Sequence, residues 1–136
     1  MALSHMERTL KLVRMMPGCL RAKAVEKWQP KPWISAQAGV RIDLFGADVQ
    51  ALFLNRNEGY ILAIQICDMS SRKKHVESAM ASYEVIDWIA ANGFFQVWAW
   101  RKLKVGNLQR WKCNQTAIYV NEEDGEPYTQ LIEDAA

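Results

Sequence analysis

Apolar residues near the start of the chain recur at the spacing of a helix. Leu10, Val13 and Met16 fall on one side of a 3.6-residue period. Ser4 and Glu7 precede them in the Ser-x-x-Glu form of a capping box, in which each residue's side chain bonds the other's backbone N–H. The pattern therefore predicts a first helix that ends at the following Pro-Gly pair.

The pattern then changes to alternation, which predicts three strands. The first strand is predicted over residues 20–28, and a loop containing proline and glycine over 29–39. Two further strands, 48–54 and 60–67, are predicted to form a hairpin across the loop 55–59.

Helical spacing returns after the hairpin. It predicts one helix over 71–91, followed by an Asn-Gly stop at 92–93. Residues 94–100 and 111–120 are predicted to be further strands. The order of helix, three strands, helix and one or two strands predicts an α/β fold rather than a bundle or a sandwich.

Size and composition favour one soluble domain. The chain has 136 residues, half of them apolar, which suffices for one core without staples. No apolar run approaches the ~20 residues of a membrane span, so we expect no membrane association. The three cysteines are scattered without metal or disulfide spacing, which favours a reducing cytoplasm.

Charge divides the chain into two parts. Residues 121–136 hold six acids and no Lys or Arg, whereas residues 1–120 hold 17 basic and nine acidic side chains. We therefore expect a single domain over 1–120 and an acidic C-terminal tail over 121–136. A basic domain suits a polyanion such as DNA, and the alternative is an ordinary solvated surface.

Asp48 and Gln65 are the first candidates for a functional site. If the hairpin turn is centred between Arg56 and Asn57, Asp48 lies directly across from Gln65. An acid and an amide oxygen together could bind Mg²⁺ or Mn²⁺, which would polarise a phosphate and lower the pKa of water. The alternatives are a strand-edge acid and a core glutamine bonded to backbone. Asp43 and Glu26 flank the nearby loop and are secondary metal candidates.

Basic and aromatic residues suggest where a nucleic acid would lie. Arg72, Lys73 and Lys74 open the second helix against its dipole, so either phosphate contact or a solvated charged turn explains them. Tryptophans follow the late strands beside Arg101 and Lys102, where they form either core or a stacking surface.

The chain resembles small phage and prophage proteins with a PD-(D/E)XK nuclease-like, Holliday-junction-resolvase-like fold. The shared positions are 26–30, 41–46 with Asp48, 64–65, Trp88 with 92–93, and 97–102 ahead of Trp111. The resemblance implies a restriction-endonuclease-like αβββαβ core with a mixed central sheet and flanking helices. It also implies metal-dependent phosphodiester cleavage, or handling of DNA ends and junctions, in the host cytoplasm if the protein is phage-encoded.

The resemblance assigns metal binding to Asp48 and Gln65, with Glu26 or Asp43 nearby. Gln65 stands where the family has a carboxylate, and Cys67 where it has a lysine. Lys73 or Lys74 would then approach the scissile phosphate in place of that lysine.

Three hypotheses follow. The first is a metal-dependent DNA nuclease with Asp48, Gln65, Lys73 and Lys74 as catalytic residues. The second is a non-catalytic DNA-binding protein on the same fold, and the third is a structural or partner-binding phage protein that uses its tryptophans. DNA is the expected partner, and a homodimer is left open. The predicted DNA-binding residues are Arg41, Arg72, Lys73, Lys74, Arg101 and Lys102.

Overall fold

The chain forms a mixed α/β structure. The computed structural model describes residues 3–42 and 44–134. Within them the elements are, in chain order, α1 (His5–Arg14), β1 (Cys19–Ala24), β2 (Lys27–Pro30), β3 (Gly39–Ile42), β4 (Val49–Asn55), β5 (Glu58–Asp68), α2 (Arg72–Met80), α3 (Tyr83–Ala90), β6 (Phe94–Val105), β7 (Leu108–Val120) and β8 (Pro127–Glu133).

A six-stranded mixed sheet forms the centre, in the order β1-β4-β5-β6-β7-β8. β1, β4 and β5 are antiparallel neighbours, and β6, β7 and β8 continue as antiparallel neighbours. β5 and β6 are parallel, and α2 and α3 form the crossover between them. The predicted α/β class with a mixed central sheet and flanking helices is thereby confirmed.

Hydrophobic side chains cover both faces of the sheet. On one face, Val13 of α1 packs over buried residues that include Ile64 and Trp98. On the other face, α2 and α3 contribute Val76 and Val85 to a second buried cluster. Neighbouring residues of β5 and β6 point to opposite faces, which explains why both strands are strongly apolar.

The first helix begins as predicted. The Ser4 hydroxyl accepts from the Glu7 N–H at 3.1 Å, and the Glu7 carboxylate accepts from the Ser4 N–H at 3.3 Å. Both halves of the capping box are therefore present, and Glu7 has a structural role at this end of the helix.

The strand predicted over 20–28 is wrong in its second half. β1 ends at Ala24, and the chain then leaves the main sheet to form a separate hairpin of β2 and β3. The Val25 N–H donates to the carbonyl of Asp48 at 2.9 Å just beyond the end of β1. Alternation identifies an extended chain, but it does not specify which strand will be the partner.

The single helix predicted over 71–91 is two helices. Ser82 has an extended backbone, and its hydroxyl accepts from the Val85 N–H as the N-cap of α3. The apolar period continues through this break, which is why the sequence pattern predicts one helix. Serine in this position supplies a competing local hydrogen bond that starts a new helix.

The acidic segment contributes the last strand of the sheet. Its first residues form a turn in which the Gly125 N–H donates to the Asn121 carbonyl at 2.8 Å. β8 then pairs with β7 from Pro127 opposite Val120 onward. Residues 127–133 thus belong to the same sheet as the basic part of the chain.

Candidate active site

The turn between β4 and β5 determines the position of Asp48. Residues 56–57 both have left-handed backbones, with φ of 50° and 70°, as a two-residue type I′ turn requires. The resulting ladder pairs Val49 with Ile64. Extending that register by one residue brings Asp48 level with Gln65, so the predicted hairpin register is confirmed.

The carboxylate of Asp48 takes the place of a backbone acceptor where the β4–β5 ladder ends. The Ile66 N–H donates to its Oδ2 at 2.8 Å. The Asp48 N–H donates to the Ile64 carbonyl at 2.8 Å, and the Asp48 carbonyl accepts from Val25. Asp48 is therefore held on both sides, by the end of β1 and by β5, which fixes the direction of its side chain.

A cleft of about 400 Å³ lies beside Asp48, between the start of α1 and the start of α2. Its acidic lining residues come from three separate segments: Glu26 follows β1, Asp48 precedes β4, and Asp68 ends β5. The other polar lining residues are Ser4, His5, Ser71 and His75. This arrangement brings acids and imidazoles together at one end of the sheet.

Gln65 lies level with Asp48 in the β4–β5 ladder and is not among the residues that line the cleft. It is half-buried and pairs with Val97 of β6. It shares a strand face with Ala63 and Cys67, which belong to the cluster under α2 and α3. Cys67 of the same face lines the cleft as well, and the metal-binding role of Asp48 together with Gln65 stays a prediction.

The cleft offers carboxylates, which are the side chains that Mg²⁺ prefers, but few of them. Mg²⁺ is usually bound through one or two carboxylates together with waters and substrate phosphates. Asp48 and Glu26 in an open cleft supply such a pair. In the part of the chain that the structure describes, no three His, Cys, Asp or Glu side chains could hold a metal by themselves. Asp43 lies outside the described residues.

His5 contacts both Asp68 of the cleft and Arg8 of α1. Its Nε2 lies 2.5 Å from Oδ1 of Asp68, and its Nδ1 lies 2.8 Å from Nη1 of Arg8. A guanidinium has no lone pair, so Arg8 donates and Nδ1 accepts. In this geometry His5 is the neutral tautomer whose Nε2–H donates to Asp68.

The start of α2 presents a histidine, not the predicted lysines, to the cleft. Ser71 and His75 are one helical turn apart and both line it. Lys73 and Lys74 are exposed and are not among the lining residues.

Arg72 is turned toward the sheet. Its Nε donates to Oδ1 of Asn114 at 2.8 Å, and its Nη2 donates to Oγ1 of Thr116 at 2.8 Å. Both partners are buried on β7. The guanidinium thus joins α2 to β7, and the prediction that Arg72 binds DNA has to compete with this structural role.

Cys67 is a buried thiol where the resembled family has a lysine. Burial raises its pKa from 9.0 to about 11, so it is neutral at ordinary pH. A neutral thiol offers neither the positive charge nor the donors of a lysine. Cys67 therefore cannot replace that lysine at a phosphate.

The tryptophans divide between core and surface. Trp98 and Trp100 are buried, and the Trp100 indole N–H donates to the Thr9 hydroxyl at 2.9 Å. Trp111 is 36% exposed, and the guanidinium carbon of Arg8 lies 4.0 Å from its ring centroid. The Lys102 amine lies 5.6 Å from the same centroid.

The remaining predicted DNA-binding residues occupy two hairpins. Arg101 and Lys102 are exposed where β6 extends past the end of β5. Arg41 is paired with Trp28 across the β2–β3 hairpin, and its side chain lies outside the described part of the structure.

Sequence reasoning missed His5, Asp68 and His75. Asp68 and His75 had a usable signal, because one ends the strand that carries Gln65 and the other follows Ser71 by one helical turn. The contact between His5 and Asp68 spans 63 residues and has no local signature.

Comparison with protein-family models, curated proteins and solved structures gave no match. The described helices include none that is long and apolar enough to cross a membrane.

A larger depression of about 910 Å³ lies at the other end of the sheet, beside Tyr60, Phe94 and Tyr119. Its lining does not include Asp48, Glu26 or Asp68.

Proposed function

We propose that this protein binds DNA and cleaves its phosphodiester bonds with a divalent metal, Mg²⁺ or Mn²⁺, in the cleft around Asp48. The observation that carries the proposal is the convergence of Asp48, Glu26 and Asp68 on one open cleft. These acids come from three segments that are distant in the chain.

The order of the elements supports a restriction-endonuclease-like fold. Omitting the small β2–β3 hairpin, the chain runs α1, then β1, β4 and β5, then α2 and α3, then β6. This is the αβββαβ order, with β5 and β6 parallel neighbours as a helical crossover permits. In this arrangement β7 and β8 extend the sheet beyond the core.

The residues of the cleft have distinct roles in the proposal. Asp48 and Glu26 hold the metal, and Asp48 is oriented by the Ile66 N–H. A bound divalent ion would act as a Lewis acid on the scissile phosphate. Asp68 is bonded to His5 and therefore serves mainly to orient that ring.

In this proposal His75 takes the role predicted for a lysine. It lies in the same cleft as Asp48, on α2, which follows β5 after one 3₁₀ turn (Met69–Ser71). An imidazole can both accept and donate a proton near neutral pH. We therefore assign His75 to orienting the attacking water or protonating the leaving oxygen.

A second candidate is DNA binding without cleavage. It is favoured by Cys67, a buried neutral thiol at the position where the resembled family has a lysine. The third hypothesis, partner binding, draws on the β2–β3 hairpin region, where Trp33 is 74% exposed and Trp28 is 55% exposed. The three hypotheses assume the same fold. They differ in whether the protein cleaves DNA, binds it without cleavage, or binds another partner.

A gel assay separates these functions. Linear duplex, a four-way junction and single-stranded DNA are incubated with the protein, either with Mn²⁺ or with EDTA. The nuclease proposal expects shorter products with Mn²⁺ and none with EDTA. Shifted but intact DNA would replace it with the second candidate, and neither shift nor product at low salt would favour partner binding.

A further inference from the structure

The hairpin of β6 and β7 projects beyond the body as a two-stranded ribbon. The last pair between β5 and β6 is Asp68 with Trp100. Beyond it β6 and β7 stay paired with each other, from Arg101 opposite Lys112 to Val105 opposite Leu108. Pairing of β7 with β8 involves only residues from 115 onward. Among the described residues, the strands at 101–105 and 108–112 therefore pair only with each other. At about 3.3 Å per residue the projection is about 16 Å long.

This basic ribbon, residues 101–112, is the most cationic segment of the chain. It carries five Lys or Arg residues and no acid, although the net charge of the whole protein is only +2. All five are exposed: Arg101, Lys102, Lys104, Arg110 and Lys112.

The ribbon carries cations on both of its faces. Lys102 and Lys104 share one face with Trp111, and Arg101 and Lys112 lie directly opposite each other on the second face. Like charges across a strand pair are destabilising without a counter-charge. An anionic partner at the second face would remove this repulsion.

The base of the ribbon is braced next to the cleft. Arg8 lies over the Trp111 ring, and the ring of His5 meets the edge of Trp111 with centroids 5.1 Å apart. His5 also bonds Asp68, which lines the cleft. The same histidine thus contacts both the ribbon and the candidate active site.

The dimensions of the ribbon fit duplex DNA. The major groove is about 12 Å wide and about 8.5 Å deep and admits a two-stranded β-ribbon. Cations on both faces would meet the phosphates on both walls of such a groove. A single-strand site normally offers several stacking aromatics, whereas Trp111 is the one aromatic of this segment and Arg8 lies over it.

We propose that the basic ribbon enters the major groove of duplex DNA and holds the duplex against the cleft. This inference rests on the proposed function, from which it takes DNA as the ligand. It adds the preferred form of that DNA, the duplex, and the protein surface that contacts it. Val105 and Leu108, 56% and 60% exposed at the tip, provide apolar contacts to the floor of the groove.

Fluorescence anisotropy in EDTA tests the ribbon without any cleavage. A labelled duplex of about 20 base pairs and its separate single strand are titrated at several salt concentrations. The variant is Lys102→Gln, Lys104→Gln and Arg110→Gln combined. The matched control is Lys11→Gln, Arg21→Gln and Lys23→Gln combined, which removes the same charge from α1 and the far edge strand. Circular dichroism melts confirm that both variants are folded.

The expected result is selective. The ribbon variant binds duplex about tenfold more weakly or worse and lowers the salt slope by about three, whereas the control changes binding less than about twofold. Methyl green, a major-groove ligand, competes with the protein, and the minor-groove ligand netropsin does not.

Three results would overturn the ribbon proposal: unchanged duplex affinity in the ribbon variant, equal losses in both variants, or wild-type protein that prefers the single strand. Ribbon-dependent duplex binding without Mn²⁺-dependent products would instead reject the cleavage proposal and leave the ribbon in place. The two proposals can therefore fail separately.

Discussion

Ionisation of the buried Cys67 thiol affects the stability of the fold. Its pKa is raised from 9.0 to about 11, chiefly by burial. The folded protein therefore prefers the neutral thiol more strongly than the unfolded chain does. The stabilisation that results is complete below about pH 9 and is lost as the pH rises through about 11.

We predict that Cys67→Ala becomes less harmful as the pH rises. The difference in unfolding free energy between wild type and variant should be smaller at about pH 10.5 than at about pH 8, because only the wild type loses the thiol contribution. Urea unfolding at both pH values measures it. Val97→Ala, a truncation of a fully buried side chain with no titrating group, serves as the control and should show a constant difference. A constant difference for Cys67→Ala as well would contradict the assignment.

At the scale of single residues, the sequence predicted the register of Asp48 correctly, whereas the role of Gln65 stays a prediction. The register of Asp48 follows from a short turn, which is local information. Whether a side chain enters a cleft depends on what packs above it, and Gln65 shares its face with the residues under α2 and α3. Contacts such as His5 with Asp68 depend on the whole fold and leave no local pattern.

Arg72 shows how one side chain positions an element. It lies in the first turn of α2 and donates to Asn114 and Thr116, which are both buried on β7. The Thr116 hydroxyl also donates to Oδ1 of Asn114 at 3.1 Å. These bonds connect the crossover helix to β7 and hold the start of α2, with Ser71 and His75, at the cleft.

We predict that Arg72→Met lowers the unfolding free energy by about 1.5–3 kcal/mol, because hydrogen bonds from a charged group to buried acceptors are lost. Urea denaturation measures the change. Lys73→Met, the exposed neighbour, is the control and should stay within about 0.5 kcal/mol of wild type. Equal effects of the two substitutions would show that the guanidinium does not anchor the helix.

Elements with local determinants were predicted better than elements with distant partners. The β4–β5 hairpin and the capped start of α1 depend on residues a few positions apart, and both agree with prediction. The pairing of β2 with β3, and of β8 with β7, depends on which strands lie beside them in the folded chain. The break between α2 and α3 had a signal in Ser82, but the uninterrupted apolar period outweighed it.

At the scale of the molecule, opposite charges occupy different parts of one sheet. The basic ribbon extends from β6 and β7 past the end of β5, whereas the acidic turn after β7 and the strand β8 lie at the other end of β7. The sequence predicted the imbalance itself. It did not predict that the acidic segment would join the sheet, because strand pairing across a turn is not visible in net charge.

Asp48→Asn tests directly whether the cleft is a metal-dependent active site. Asparagine keeps an oxygen that can accept from the Ile66 N–H while it removes the charge that a metal requires. Asp87→Asn, an exposed acid on α3, is the control.

The measurement is the single-turnover rate of duplex cleavage with Mn²⁺ at saturating protein. We predict that Asp48→Asn binds duplex as wild type does but cuts it at least about 100-fold more slowly, because the metal loses its main carboxylate. Asp87→Asn should cut at the wild-type rate. Wild-type cleavage by Asp48→Asn, or products that form equally well in EDTA, would contradict the account.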